Sequence, residues 1–219
     1  MIIAIDGPAG SGKSTISRLI AQKLGFIYID TGAMYRALTL KALRKRTDFS
    51  RESDLVKIAR ESSIRLSNNP DGSLKIVLDA EDVSVEVRKP MVTRFVSDLA
   101  KVRGVREVML GLQRSLGLSN NSVLDGRDIG TVVFPDADKK FYLDADFNVR
   151  VGRRFKEMQD AGQKVSLADV EADLRNRDRI DSTRKVAPLK RADDAIYLDT
   201  TKLNIQQVVD KVFEFIKNG

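Results

Sequence analysis

The apolar positions change their period along this chain, and the changes outline its elements. Met1-Ile2-Ile3-Ala4-Ile5 is a continuous apolar run of strand length, the pattern of a buried parallel strand. From Lys13 to Leu24 the spacing turns helical, with Ile16, Leu19, Ile20 and Leu24 recurring near one face. Phe26-Ile27-Tyr28-Ile29 is a second short apolar stretch, and a helical pattern follows from Ala33 to Arg46. Residues 47–62 hold another short helix, with Ser53 expected as its cap ahead of Asp54 and Leu55. At Ser63 the character changes. Ile64-Arg65-Leu66 and the stretch Leu74–Asp79 flank Asn68-Asn69-Pro70-Asp71-Gly72-Ser73, which predicts a hairpin, and Glu81 to Arg88 predicts a third strand. Pro90 opens two helices that run to about Leu118, with a break near Arg103-Gly104. Ser122–Gly126, Lys139–Asp144 and Ala195–Asp199 read as strands. Residues 146–161 and 166–179 read as helices, the second opening on a capping arrangement of Ser166 and Asp169. A helix from Asn204 closes the chain, with Ile205, Val208, Val209, Val212, Phe215 and Ile216 on one apolar face. Strands alternating with helices predict a parallel sheet covered on both faces.

The turn between the first strand and the first helix carries the chemistry. Gly7-Pro8-Ala9-Gly10-Ser11-Gly12-Lys13-Ser14 matches the phosphate-binding pattern G-x-x-x-x-G-K-[ST] at every fixed position, and Thr15 follows it. Strand, glycine-rich turn and helix start together aim backbone N–H groups and a positive helix end at an anion. Gly7, Gly10 and Gly12 permit positive φ and close backbone approach. Lys13 is expected on the β- and γ-phosphates and the Ser14 hydroxyl on Mg²⁺. A nucleoside triphosphate site is the reading these flanking elements support.

Composition then narrows the reaction. The chain has 219 residues, 42% hydrophobic and 32% charged, enough for one α/β domain with small insertions or two small domains. It contains no cysteine and no histidine, which removes disulfides, thiol nucleophiles, structural zinc and histidine acid–base chemistry. Phosphoryl transfer needs only what remains: carboxylates, cations, hydroxyls and a hard metal ion. No apolar stretch approaches the roughly 20 residues that span a bilayer, and no charged region precedes the N-terminal apolar run, so no membrane and a cytoplasmic location are expected. The net charge of +7 admits nucleic-acid binding, a solvated basic surface, or arginines directed at several phosphates. Arginine positions favour the last, because Arg36, Arg106, Arg127, Arg150, Arg153, Arg154, Arg177, Arg179 and Arg184 mostly lie near strand ends or on the helices after them. Surface solvation still accounts for any one of them taken alone.

Two local patterns add detail. Asp125 ends an apolar strand ahead of Gly126-Arg127-Asp128-Ile129-Gly130. A carboxylate there either caps the next turn or holds Mg²⁺ opposite Ser14, and the phosphate loop favours the metal. Arg150, Arg153 and Arg154 share one helix face before a turn at Asp160-Ala161-Gly162. That hairpin suits a lid over triphosphates, although from spacing alone a solvated basic face accounts for it better.

Four segments, taken together, resemble the bacterial cytidylate kinases among the nucleoside monophosphate kinases: Gly7–Thr15, Asp30–Arg36, Asp125–Ala137 and Arg177–Leu189. The last three are the more diagnostic. The resemblance implies a P-loop NTPase three-layer α/β fold, one kinase domain over 1–219, with a monophosphate-binding region at 31–105 that holds a small antiparallel insert at about 63–88, and a helical lid at 150–185. It implies transfer from ATP to CMP and dCMP with Mg²⁺. Carried over by position, Lys13, Arg127, Arg153 and Arg154 are the catalytic cations, and Ser14 and Asp125 hold the metal. Thr31, Tyr35 and Arg36 contact the monophosphate. Ser97, Arg106 and Asp128 read the cytosine edge, where a carboxylate accepts from the exocyclic amine that uracil lacks. Arg127 and Arg184 are phosphate ligands, and Arg177 and Asp181 lie near the sugar. Ile180 stands where some relatives have an arginine, which leaves this lid one phosphate contact fewer.

Other readings are a kinase for UMP, AMP or dTMP, a kinase for a small alcohol, a GTP-dependent switch, and an RNA-binding protein. The switch needs an N-K-x-D segment, which the chain lacks, and RNA binding lacks basic residues interleaved with stacking aromatics. The expected partners are ATP and CMP or dCMP, without nucleic acid, on a monomer.

Overall fold

A computed structural model describes residues 1–69 and 73–217. Its larger sheet has the order β2-β6-β1-β7-β8, formed by β1 (Ile2–Asp6), β2 (Ile27–Asp30), β6 (Ser122–Gly126), β7 (Lys139–Asp144) and β8 (Ile196–Asp199). All four pairings are parallel. This follows from the composition of the strands: Ile3, Ala4, Ile5, Val123, Leu124 and Leu143 are fully buried, so the central strands need cover on both faces. One cover is α1 (Lys13–Leu24) with α8 (Ile205–Lys217). The other is the group α2 (Thr31–Arg44), α3 (Glu52–Arg60), α4 (Pro90–Ala100) and α5 (Arg103–Leu118). No helix among the described residues is long and apolar enough to cross a membrane.

The insert is a second, antiparallel sheet of β3 (Ile64–Asn68), β4 (Leu74–Leu78) and β5 (Glu81–Asp82). Residues 70–72 of the expected hairpin loop lie outside the described residues. The third strand is shorter than its pattern predicts. It ends at Asp82, and Glu86–Arg88 forms a tight 3₁₀ turn that buries Val87. Ser53 does not cap α3. Arg51 precedes the helix instead, and Ser53 lies inside its first turn, where the acidic residues Glu52 and Asp54 face the positive helix end. The helix predicted from Ala33 begins two residues earlier, because Asp30 caps it by accepting the Ala33 N–H at 2.7 Å.

The helical hairpin of α6 (Phe147–Asp160) and α7 (Leu167–Thr183) stands over the phosphate loop. Ser166 caps α7 in a reciprocal box with Asp169, as the sequence predicts. Val151, Val170 and Leu174 bury against Ala9, forming a small core separate from the main one. The hairpin therefore rests on the loop through its own apolar contacts.

Candidate functional site

The phosphate loop leaves β1 at the centre of the sheet, beside the carboxyl ends of β6 and β7, where open parallel sheets bind ligands. Gly7, Gly10 and Gly12 have φ of 149°, 76° and 90°. Gly12 ends the loop in the left-handed region, and no side chain caps α1, which leaves its first N–H groups free for an anion. Lys13 is 5% exposed and curls over the loop, donating to the Pro8 carbonyl at 2.6 Å and to Ser11 Oγ at 3.3 Å. Burial, with the Arg127 charge, pushes its pKa well below the ordinary lysine value. A lysine held in this way gains from any bound anion.

Register places two carboxylates side by side, since Asp30 of β2 pairs with Asp125 of β6. Asp125 Oδ2 accepts from Ser14 Oγ at 2.7 Å and its Oδ1 from the Tyr28 hydroxyl at 3.0 Å. Burial and the neighbouring Asp30 raise the Asp125 pKa to about 6. The Ser14 hydroxyl and Asp125 carboxylate thus form a pair of hard oxygen donors beside the loop. That donor set fits Mg²⁺, which takes one or two protein oxygens and completes its shell with phosphates and water. Among the described residues no group of three or more acidic side chains forms a metal cage.

Across the sheet ends lies a run of alternating charges. Arg106 and Arg184 both donate to Asp128, Arg184 at 3.2 Å, while Arg127 Nε donates to Asp181 Oδ2 at 2.9 Å. Arg184 reaches Asp181 at 3.8 Å, and Ser97 Oγ donates to Asp181 at 3.2 Å. The Arg106 guanidinium lies 5.6 Å from the Tyr35 ring centre. Arg36 is tied to Asp30 at 2.8 Å, but its buried Nε has no partner among the described residues. Arg177 Nε is likewise buried and without a partner, and burial together with Arg127 lowers the Arg177 pKa to about 10. Thr31 Oγ1 donates to the Asp125 carbonyl at 2.7 Å. Contacts and charges thus join Tyr35, Ser97, Arg106, Arg127, Asp128, Arg177, Asp181 and Arg184 in one cluster, while Thr31 and Arg36 are tied to the neighbouring Asp125 and Asp30. Two positions expected on a lid point elsewhere. Arg153 holds Thr200 through its hydroxyl and carbonyl, at 2.9 and 2.6 Å, and Arg154 pairs with Glu157 at 2.9 Å.

The cytidylate kinase family model matches residues 3–218. The chain belongs to the cytidylate kinase family. A cytidylate kinase of Caldanaerobacter subterraneus subsp. tengcongensis is 47% identical over 217 residues, which cover 99% of this chain and 95% of that one. One of Clostridioides difficile is 46% identical over 212 residues, covering 97% and 96%. The activity is ATP-dependent phosphorylation of CMP and dCMP. Among solved structures, a shikimate kinase of Bacteroides thetaiotaomicron matches with a TM-score of 0.50 at 14% identity, covering 99% of this chain and 98% of that one. That likeness concerns the fold alone.

Within this cytidylate kinase, several residues of the site escape a sequence reading. Asp178 Oδ1 accepts the Ala9 N–H at 3.2 Å, and Arg150 donates to the Ala9 carbonyl at 2.9 Å while pairing with Asp178 at 2.5 Å. Arg150 is thus a clamp between α6 and the loop backbone, held through its Nε and one of its terminal nitrogens. Asp30 and Tyr28 flank Asp125, and only the pairing of β2 with β6 reveals them. Asp6, which ends β1, accepts from the Ile129 N–H at 2.9 Å and the Gly130 N–H at 2.8 Å.

Asp6 also sets a pH response. Burial raises its pKa from 3.8 to about 7 and the Asp128 charge adds to this, against the two N–H bonds and the Lys13 charge. A carboxyl that is easier to protonate folded than unfolded adds stability below 3.8 and loses it as pH rises through about 7. Asp125 acts in the same direction, while Lys13, with its lowered pKa, acts in the opposite one. The melting temperature of the parent minus that of Asp6→Asn is therefore expected to fall from pH 6 to pH 8 in the ligand-free enzyme. Calorimetric scans of both proteins check this, and a difference that grows with pH over that range would contradict it.

Proposed function

We propose that the two anion-binding halves of this site hold ATP and a cytidine monophosphate face to face. The observation that carries the reading is that the parallel pairing of β1 with β6 sets Asp6, just before the phosphate loop, opposite Gly126, just before Arg127, so the two halves start from adjacent strand ends. The triphosphate lies on residues Gly7–Thr15, with Lys13 on its terminal phosphates. The acceptor phosphate takes Arg36, Arg127 and Arg184, replacing part of the carboxylate pairing that these arginines have without it. Thr31 and Tyr35 line that phosphate's approach, and Arg177 and Asp181 lie toward the sugar. Ser97, Arg106 and Asp128 read the cytosine edge. Ser14 and Asp125 would hold Mg²⁺, which when bound neutralises charge on the donor phosphates.

The acceptor is already an anion, so no unusual base is required. The enzyme has to bring two polyanions together and exclude water, which Lys13 and the arginines do by offsetting repulsion in a buried site. The hairpin α6–α7 serves as the lid, with its base fixed on Ala9 and its tip free to close. Arg153 and Arg154 reach the phosphates only if they leave Thr200 and Glu157, so closure includes that exchange.

A coupled ADP-release assay with ATP, Mg²⁺ and CMP, dCMP, UMP, AMP or dTMP tests the assignment. Fast turnover of CMP and dCMP with UMP far behind is expected. Asp128→Asn is expected to lower kcat/KM for CMP by about 10- to 100-fold, the effect of losing a charge-assisted hydrogen bond to the base. Equal turnover of CMP and UMP by the parent enzyme would remove the role given to Asp128.

A further inference from the structure

The turn that carries Asp128 is built in an unusual way. Asp128 precedes a π-helical turn, Ile129–Val133, in which Val133 N–H donates to the Asp128 carbonyl at 3.1 Å and Phe134 N–H to the Ile129 carbonyl at 2.7 Å. An aspartate in that position ordinarily folds its side chain back to accept the first free N–H groups of the turn. Asp128 makes no such bond. Both its oxygens face Arg106 and Arg184 instead. The N–H groups it leaves open, those of Ile129 and Gly130, are taken by Asp6, one oxygen each, at 2.9 and 2.8 Å.

We propose that Asp6 is a positioning residue for base selection: it caps the turn in place of Asp128 and so keeps the Asp128 carboxylate turned toward the substrate. The inference rests on the reading of Asp128 as the cytosine-recognising carboxylate. Three further observations support it. Asp6 is 5% exposed, so its oxygens have no water to prefer over the two N–H groups. The turn sits tightly on this part of the sheet, since a Cβ on Gly130 would lie 3.2 Å from Lys140 Cδ and 3.5 Å from Asp6 Oδ2. Asp6 is also the residue immediately before Gly7. One strand end therefore fixes both the start of the donor-phosphate loop and the turn that bears the base-reading group.

Without Asp6 the open N–H groups have a ready substitute in the Asp128 side chain. Rotation toward them satisfies the turn and withdraws the carboxylate from Arg106, Arg184 and the base. The loss then falls on the nucleotide that needs that carboxylate. CMP, with its exocyclic amine, is affected; UMP, which has a carbonyl oxygen in place of that amine, is affected less.

The test is steady-state kinetics with Mg²⁺, varying CMP or UMP at saturating ATP and varying ATP at saturating CMP, for the parent, Asp6→Asn, Asp6→Ser and Asp128→Asn. The asparagine variant keeps the shape but offers one acceptor oxygen to two N–H groups. The serine variant keeps a hydroxyl acceptor without an amide donor facing them, and serves if the asparagine variant does not fold. The expected result is a CMP/UMP ratio of kcat/KM lowered about tenfold or more by substitution of Asp6, with KM for CMP rising more than KM for ATP. A purely structural role predicts equal losses for CMP and UMP and an unchanged ratio, which would overturn the proposal. If Asp128→Asn itself leaves the ratio unchanged, the reading of Asp128 fails. If Asp128→Asn lowers the ratio and the Asp6 variants do not, only the role of Asp6 fails.

Discussion

Lys13→Met is expected to lower kcat by about 10²- to 10³-fold, the scale set by removing one preorganised charge from a transition state that carries charge on its oxygens. The structure explains why this residue should matter more than other cations in the chain. It is the lysine of the phosphate loop, nearly excluded from water, and its ammonium is held by the Pro8 carbonyl and the Ser11 hydroxyl, with no carboxylate partner among the described residues. Burial destabilises the charged form, so the group recovers most when an anion arrives. Methionine keeps the bulk of the side chain and removes a desolvated charge, which leaves folding stability level or slightly higher. Rapid-quench turnover with CMP, read beside thermal melts of both proteins, measures the two effects separately. A variant that retains turnover within about fivefold of the parent would show that the backbone and Mg²⁺ suffice, a loss of only about 1 kcal/mol.

Gly7→Ala should have the largest effect on the fold. Gly7 has φ of 149°, and an added Cβ would lie 2.0 Å from the Leu143 carbonyl oxygen. That oxygen belongs to β7, a central strand paired directly with β1, so it cannot swing aside as a flexible side chain could. Either the β1–β7 pairing opens or the phosphate loop leaves its path. The expected cost is about 3 kcal/mol or more, a large part of the roughly 5–15 kcal/mol available to a domain. Denaturant titration reads the stability and a fluorescent ATP analogue reads the loop. A variant that melts within about 2 °C of the parent and binds the analogue equally would contradict the geometry.

Much of this is legible before any coordinates exist, because the signals are local. The strand ending in Asp6, the glycine turn and the helix opening at Lys13 are contiguous, and each has a pattern tied to its backbone shape. The Ser166 box reads the same way. Ser53 is misjudged because an N-cap depends on where the first helical dihedral falls, and here the helix already starts at Glu52. The strand predicted over Glu81–Arg88 stops short for a different reason. Val83 and Val87 are buried while Val85 between them is 79% exposed, whereas a continuing strand would put all three on one face.

The sequence by itself determined the phosphate loop, the parallel sheet, the absence of histidine and cysteine chemistry, and the segments that mark the family. Each is set by a local pattern, by the alternation of strands and helices along the chain, or by composition alone. Tertiary structure alone decided which charges meet. Asp6 reaches the turn after Asp128, Asp178 with Arg150 grips Ala9, Asp30 stands beside Asp125, and Arg153 is held by Thr200. These partners lie far apart in sequence, and an Asp or Arg carries no pattern of its own that names its partner. Electrostatic pairing depends on distance and burial, and only the packing of strands and helices fixes those.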